Sequence, residues 1–165
     1  MTTTPTRILF VCLGNIIRSP LAARLFERAA QEAGLGNRVE VASAGTANYH
    51  VGEPPDPRMV RTAARRGFDY TNKGRQLKPA DLETFDLIIP MDLENKADIE
   101  TLARKPEHRA KIHLLREFDP QANGVLAVPD PWYGGPSGFE DVYDIIERSV
   151  RGLFESLDAD GLKKP

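Results

Sequence analysis

A single cysteine, Cys12, heads the run Cys12-Leu13-Gly14-Asn15-Ile16-Ile17-Arg18-Ser19-Pro20. Arg7-Ile8-Leu9-Phe10-Val11 before it reads as a buried strand, and Pro20-Leu21-Ala22-Ala23 after it opens a helix. The thiol is therefore expected on a tight loop between a strand end and a helix N-terminus. Unpaired N–H groups and the helix dipole favour anions there, phosphate among them. Thiols so placed ionise more readily than a free cysteine, and the thiolate is the nucleophile. Gly14 allows a close backbone approach, and Asn15 tolerates positive φ. Successive N–H groups along Leu13, Gly14, Asn15, Ile16 and Ile17 can form an anion nest. Arg18 can hold two phosphate oxygens as a fork. Ser19 before Pro20 suits the N-cap and first helical positions, and its hydroxyl can donate to the thiolate. A lone cysteine is most often an inert buried residue. Cys, Gly, Asn, Arg, Ser and Pro together at a strand–helix junction argue for phosphoryl transfer through sulfur.

The elements that must hold this loop are legible around it. Strands are expected at residues 7–11, 39–43, 87–91 and 111–115, with helices at 20–33, from Asp56-Pro57 through Arg66, after Asp92, and at 138–158; Asp56 and Asp92 read as helix caps rather than catalytic residues. Leu21, Leu25, Phe26 and Ala29 share one face of the first helix. Phe139, Val142, Tyr143, Ile146, Val150, Leu153, Phe154 and Leu157 repeat at core spacing in the last. Alternation of strands and helices predicts a single α/β domain, a four-stranded parallel sheet flanked by helices on both faces. Ligands in such sheets bind beyond the strand C-termini, where Cys12 stands. Residues 7–158 are expected to form this domain, with flexible ends at 1–6 and 159–165.

Composition narrows the function. The 165 residues suit one domain with a real core. A net charge of −2 gives no nucleic-acid footprint. No apolar stretch approaches the ~20 residues of a membrane span, and residues 1–6 lack the charged and apolar regions of a signal peptide. One cysteine excludes an internal disulfide and any multi-cysteine zinc site. His50, His108 and His113 lack ligand spacing and read as surface or packing residues. A cytoplasmic protein without metal or cofactor is expected.

A phosphate ester also needs its leaving oxygen protonated. Asp130 is the candidate acid, in a loop after the last strand that should return to the Cys12 face. A turn aspartate before proline is the commoner use, so the dipeptide alone favours a plain turn residue. Trp132, Tyr133 and Tyr49 can wall a slot for a phenyl ring or can pack a long loop.

The chain resembles the low-molecular-weight protein tyrosine phosphatases, whose signature C-x5-R-S matches Cys12 to Ser19. The similarity runs from Ile8 to about Leu157. It includes Ser43-Ala44-Gly45-Thr46, Pro55-Asp56-Pro57-Arg58, Arg75-Gln76-Leu77, Met91-Asp92 with Asn95, and Asp130-Pro131-Trp132-Tyr133, in the family's order. The resemblance implies a metal-independent phosphotyrosine hydrolase with Cys12 as nucleophile, Arg18 on the phosphate and Asp130 as acid and then base. It implies aromatics at Tyr49, Trp132 and Tyr133 shaping the slot, and Ser43 and Asn15 bracing the loop. It implies a tyrosine-phosphorylated protein as partner, a tyrosine kinase being plausible, with no nucleic acid, no membrane and a monomeric state.

Two departures stand out. Many relatives carry a second cysteine where this chain has Ile17, so oxidised Cys12 is expected to advance irreversibly unless an external thiol intervenes. Relatives often place a histidine where Asn72 stands, and an amide can still hydrogen-bond. Rival readings are an arsenate reductase of the same fold using an external thiol, a protein-arginine phosphatase, and a phosphoprotein-binding module. Arginine phosphatases carry threonine at the position of Ile16 and lack the double aromatic. Binding modules usually lose the nucleophile, arginine or acid, all kept here.

Overall fold

Strand β1 (Thr6–Cys12), apolar from Ile8 to Val11, makes the spine of the molecule. Ile8, Phe10 and Cys12 face one core, and Leu9 and Val11 face another. A strand buried on both faces is what a parallel sheet between helix layers requires. Strands β2 (Val39–Gly45) and β3 (Leu87–Pro90) flank it, both parallel to it, in the order β2-β1-β3. Cys12 pairs with Gly45 and Val11 with Pro90, so the C-terminal ends of the strands lie together. The computed structural model describes residues 4–134 and 136–159. Thr6 already belongs to β1; the expected flexible ends at 1–3 and 160–165 lie outside the described residues.

Helices α1 (Arg18–Glu32), α2 (Pro57–Arg65) and α6 (Pro136–Ala159) cover one face, with Leu21, Phe26, Met59, Tyr143, Ile146 and Leu153 fully or almost fully buried. On the other face, Leu82 of α3 (Asp81–Thr84) and Ile99 of α4 (Leu93–Glu100) pack with Leu9, Val11 and Ile88. A further short helix, α5 (Pro106–Ala110), precedes Ile112. Helix α1 stops at a positive-φ glycine, Gly34, through bonds from Leu35 N–H to Ala30 O and Gly34 N–H to Gln31 O. Asp56 caps α2 through Arg58 N–H with Pro57 at the first helical position, and Asp92 caps α4 through Asn95 N–H, as the sequence leads one to expect.

The fourth strand expected at residues 111–115 is corrected. Among the described residues the sheet has three strands, and this segment contributes one parallel bridge, Ile112 to Ile88. Ile88 N–H donates to Lys111 O, and His113 N–H to Ile88 O. The next ladder donor would be residue 90, and Pro90 has no N–H. Leu114 N–H instead goes to the Glu117 carboxylate, starting a 3-10 helix at Leu115–Phe118.

Candidate active site

The loop leaving β1 is pinned by its carbonyls. Cys12 O accepts from Thr46 N–H, Leu13 O from Ala47 N–H and Ile16 O from Asp56 N–H. A Cβ on Gly45 would lie 2.7 Å from Leu13 O, so only glycine admits this approach. Asn15 takes φ +58°, the left-handed conformation its type tolerates. Its buried amide donates to Ser19 Oγ at 2.8 Å and to Ser43 Oγ at 2.9 Å, and its carbonyl oxygen accepts from Arg75 N–H at 3.0 Å. Ser43 Oγ donates onward to Asn72 Oδ1 at 3.0 Å. Asn72 thus joins this network through its amide. Among the described residues, the N–H groups of Leu13, Gly14, Asn15, Ile16 and Ile17 donate to no protein acceptor. Five adjacent free donors at a helix start form a ready anion cradle.

Helix α1 begins at Arg18, two residues earlier than Ser19-Pro20 suggests. Ile17 is already in the right-handed helical region, and Ser19 makes no capping bond. Its hydroxyl is used inward instead: Oγ lies 3.0 Å from Cys12 Sγ and accepts from Asn15. Since Asn15 donates to it, the Ser19 hydroxyl keeps its own proton, with Cys12 Sγ at 3.0 Å and Ala44 O at 3.4 Å as the two acceptors in reach.

Arg18 is 3% exposed, and a buried guanidinium must be paired. Nη1 donates to Asp92 Oδ2 and to Val128 O, both at 2.8 Å. Nη2 faces Asp130 Oδ2 at 3.5 Å. Sequence reasoning assigned Asp92 to a helix cap alone. It does both: Oδ1 caps α4 while Oδ2 holds Arg18. Its position just past β3, at the strand C-termini, was the available signal. Val128 N–H donates to Met91 O, which brings the loop carrying Asp130 back to the Cys12 end of the sheet. Asp130 is also a turn residue: Oδ1 accepts from Trp132 N–H at 3.0 Å and caps the 3-10 helix Pro131–Tyr133. The turn use and the placement beside Arg18 coexist.

Cys12, Gly14, Ile16, Ile17 and Arg18 form the floor of one cleft of about 190 Å3, walled by Leu13, Tyr49, His50, Asp130 and Trp132. Tyr49 and Trp132 are exposed at its rim; the Tyr133 side chain lies outside the described residues. Ser43, Asn15 and Ser19 stand behind the loop. His50, read from sequence as a surface or packing residue, lines the cleft with its ring 6.0 Å from that of Trp132, and Nδ1 is 2.9 Å from Glu53 Oε1. Arg58 was also missed. Its guanidinium lies 5.0 Å from the Trp132 ring centre and 4.7 Å from that of Phe139, and pairs with Asp56 at 2.8 Å. Burial alone would raise the Asp56 carboxyl, but the hydrogen bonds and charge of Arg58, with Arg61, bring it below its ordinary value. Asp56 N–H holds Ile16 O, so Asp56 and Arg58 tie the cysteine loop to the Asp130 loop.

Among the described residues no group of three His, Cys, Asp or Glu side chains is gathered as a metal site, and no helix is long and apolar enough to cross a membrane. What the cleft offers is a nucleophilic atom, a guanidinium, free amide donors and one carboxyl able to exchange a proton.

A family model described as low molecular weight phosphotyrosine protein phosphatase matches residues 7–163. The low molecular weight protein-tyrosine-phosphatase of Streptomyces coelicolor is 40% identical over 152 residues, 92% of this chain and 93% of that one. The crystal structure of a protein tyrosine phosphatase from Entamoeba histolytica is similar at a TM-score of 0.89 and 33% identity, covering 94% of this chain and 99% of that one. A Drosophila arginine phosphatase is similar at a TM-score of 0.84 and 28% identity, covering 93% and 98%.

Proposed function

The chain belongs to the low molecular weight phosphotyrosine protein phosphatase family, and we propose that it hydrolyses phosphotyrosine in proteins through a phosphocysteine on Cys12. The observation that carries this is the meeting of Cys12, Arg18 and Asp130 in one cleft floored by free amide donors. The Cys12 thiolate attacks phosphorus opposite the phenolic oxygen, and the S–P bond forms as the P–O bond breaks. The Asp130 carboxyl gives its proton to the departing phenolate. The resulting carboxylate takes a proton from water, whose oxygen attacks phosphorus. The S–P bond breaks, the electron pair returns to sulfur, and inorganic phosphate leaves.

Arg18 and the loop amides meet the equatorial oxygens as charge develops. Nη1 is committed to Asp92 and Val128, which leaves Nη2 and Nε for the phosphate. A phosphate dianion competes with Asp130 for Nη2 and so frees Oδ2 to face the ester oxygen. Ser19 donates to Cys12 Sγ and stabilises sulfur both as thiolate and as leaving group. Asn15 and Ser43 hold the loop that aims the amides. Tyr49 and Trp132, with Ile16 at the floor, suit a flat ring. These side chains favour phosphotyrosine over phosphoarginine, although the fold is shared with an arginine phosphatase.

We take the enzyme to act on tyrosine-phosphorylated proteins, a tyrosine kinase included, and to do so as a monomer. A nucleophilic thiol that must stay reduced suits the cytoplasm. The test is hydrolysis of p-nitrophenyl phosphate with chelator present, by wild type and Cys12→Ser. Chelator-resistant turnover lost in the variant is expected, with phosphotyrosine cleaved in preference to phosphoarginine. A folded wild-type protein without turnover would overturn the reading in favour of arsenate reduction or phosphoprotein binding.

A further inference from the structure

A second depression adjoins the catalytic cleft and shares a wall with it. It measures about 400 Å3 and is lined in part by Leu13, Tyr49, Leu77, Pro79, Leu102 and Asp98. Leu13 and Tyr49 belong to both, and they are 42% and 69% exposed. Large apolar side chains left open along a groove mark contact surfaces more often than bare surface. The groove's single charged lining residue is Asp98, and among the described residues its carboxylate has no ion pair or hydrogen bond. Its main-chain carbonyl accepts from the Thr101 hydroxyl. No cation lines the groove to neutralise it.

We propose that this groove receives a lysine or arginine side chain of the substrate protein, a few residues from the phosphotyrosine. The inference rests on the phosphatase reading above and adds what the enzyme selects beyond the phosphorylated ring. A phosphotyrosine with its phosphate at Cys12 leaves its main chain at the cleft mouth, where Leu13 and Tyr49 form part of the rim. Side chains on that part of the substrate fall across these two residues into the groove. Lysine and arginine bring a hydrocarbon stem for Leu77, Pro79 and Leu102 and a cation for Asp98. A glutamate in the same place would meet Asp98 as a like charge, so the groove rejects acidic neighbours as well as admitting basic ones.

The experiment measures kcat/KM for phosphotyrosine peptides carrying lysine, alanine or glutamate at each flanking position in turn. Wild type, Asp98→Asn and Asp98→Lys are compared, with p-nitrophenyl phosphate as the reference substrate. Expected at one or two positions is a lysine-over-alanine gain of about two- to fivefold in wild type, the range of an exposed ion pair. The gain should shrink with added salt, vanish in Asp98→Asn and invert in Asp98→Lys, while p-nitrophenyl phosphate turnover stays unchanged. Lysine no better than alanine anywhere, or a lysine preference untouched in Asp98→Lys, would overturn the groove while intact reference turnover left the phosphatase reading standing. A preference for a large apolar residue, or self-association relieved by Asp98→Lys, would give the groove another occupant and overturn the proposal. Absent wild-type turnover of the reference substrate would remove both readings together.

Discussion

At the scale of single residues, the account turns on how two carboxylates share Arg18. Asp130 touches it at 3.5 Å and is partly open to solvent, whereas Asp92 grips it at 2.8 Å. A proton donor matters most when the leaving group is poor. Asp130→Asn should therefore lower kcat about 10²- to 10⁴-fold with phenyl phosphate and less with p-nitrophenyl phosphate, read in steady-state assays of both. Equal losses on the two substrates would point to lost geometry rather than lost acid catalysis. Asp92 has two jobs that substitution can separate. Asparagine keeps the α4 cap and removes the charge on Arg18; alanine removes both. Both variants should lose about tenfold to a hundredfold in kcat/KM through a misplaced guanidinium. Only Asp92→Ala should lose a further ~1 kcal/mol of stability, measured by urea unfolding.

Elements decide whether those residues meet. The β1–α1 loop is held against β2 through Gly45, whose missing side chain lets Leu13 O approach. Gly45→Ala has to move that carbonyl, and overpacking of this kind costs about 1–3 kcal/mol. Because the displaced loop carries the cradle, activity should fall with stability, checked by paired melting and turnover measurements. Much of this architecture was legible in the sequence. The apolar runs of β1, β2 and β3 and the periodic faces of α1 and α6 announced themselves, as did the caps Asp56 and Asp92. The loop was legible through Cys12, Gly14, Asn15 and Arg18, each of which is physically unusual where it stands. Helices α3 and α5 were not, since four or five residues show no period. The fourth strand was over-read because Pro90 removes the donor its ladder needs. Arg58 beside Trp132, and Asp92 on Arg18, join residues 74 apart in the chain, and only the fold brings such pairs together.

For the molecule as a whole, acid is the condition that should undo it. Asp56 and Asp119 are buried carboxyls whose burial would raise them. Arg58 and Arg61 beside the first, and Arg148, Gln121 N–H and Arg116 about the second, hold both below the ordinary range. Lys105 and His108 bring exposed Glu83 down to about 2. A depressed folded-state value means that the unfolded chain binds protons first on acidification. These groups therefore stabilise the fold fully above the unfolded values, near pH 4, and the contribution is lost as pH falls through the folded ones. Urea-unfolding stability should drop from about pH 5 toward pH 2, and Asp56→Asn should flatten part of that slope. Acidification that left wild type and Asp56→Asn with the same slope would deny Asp56 this role. The molecule's other whole-scale property is that one sheet end gathers Cys12, Arg18 and Asp130 from β1, α1 and the loop after residue 124. The measurement that tests this most directly is acid-quench trapping of the enzyme during turnover of a phosphotyrosine peptide, followed by peptide mass analysis. The account predicts a phosphoryl group on Cys12 in wild type and none in Cys12→Ser. Phosphorylation at another residue, or sustained turnover by Cys12→Ser, would contradict it.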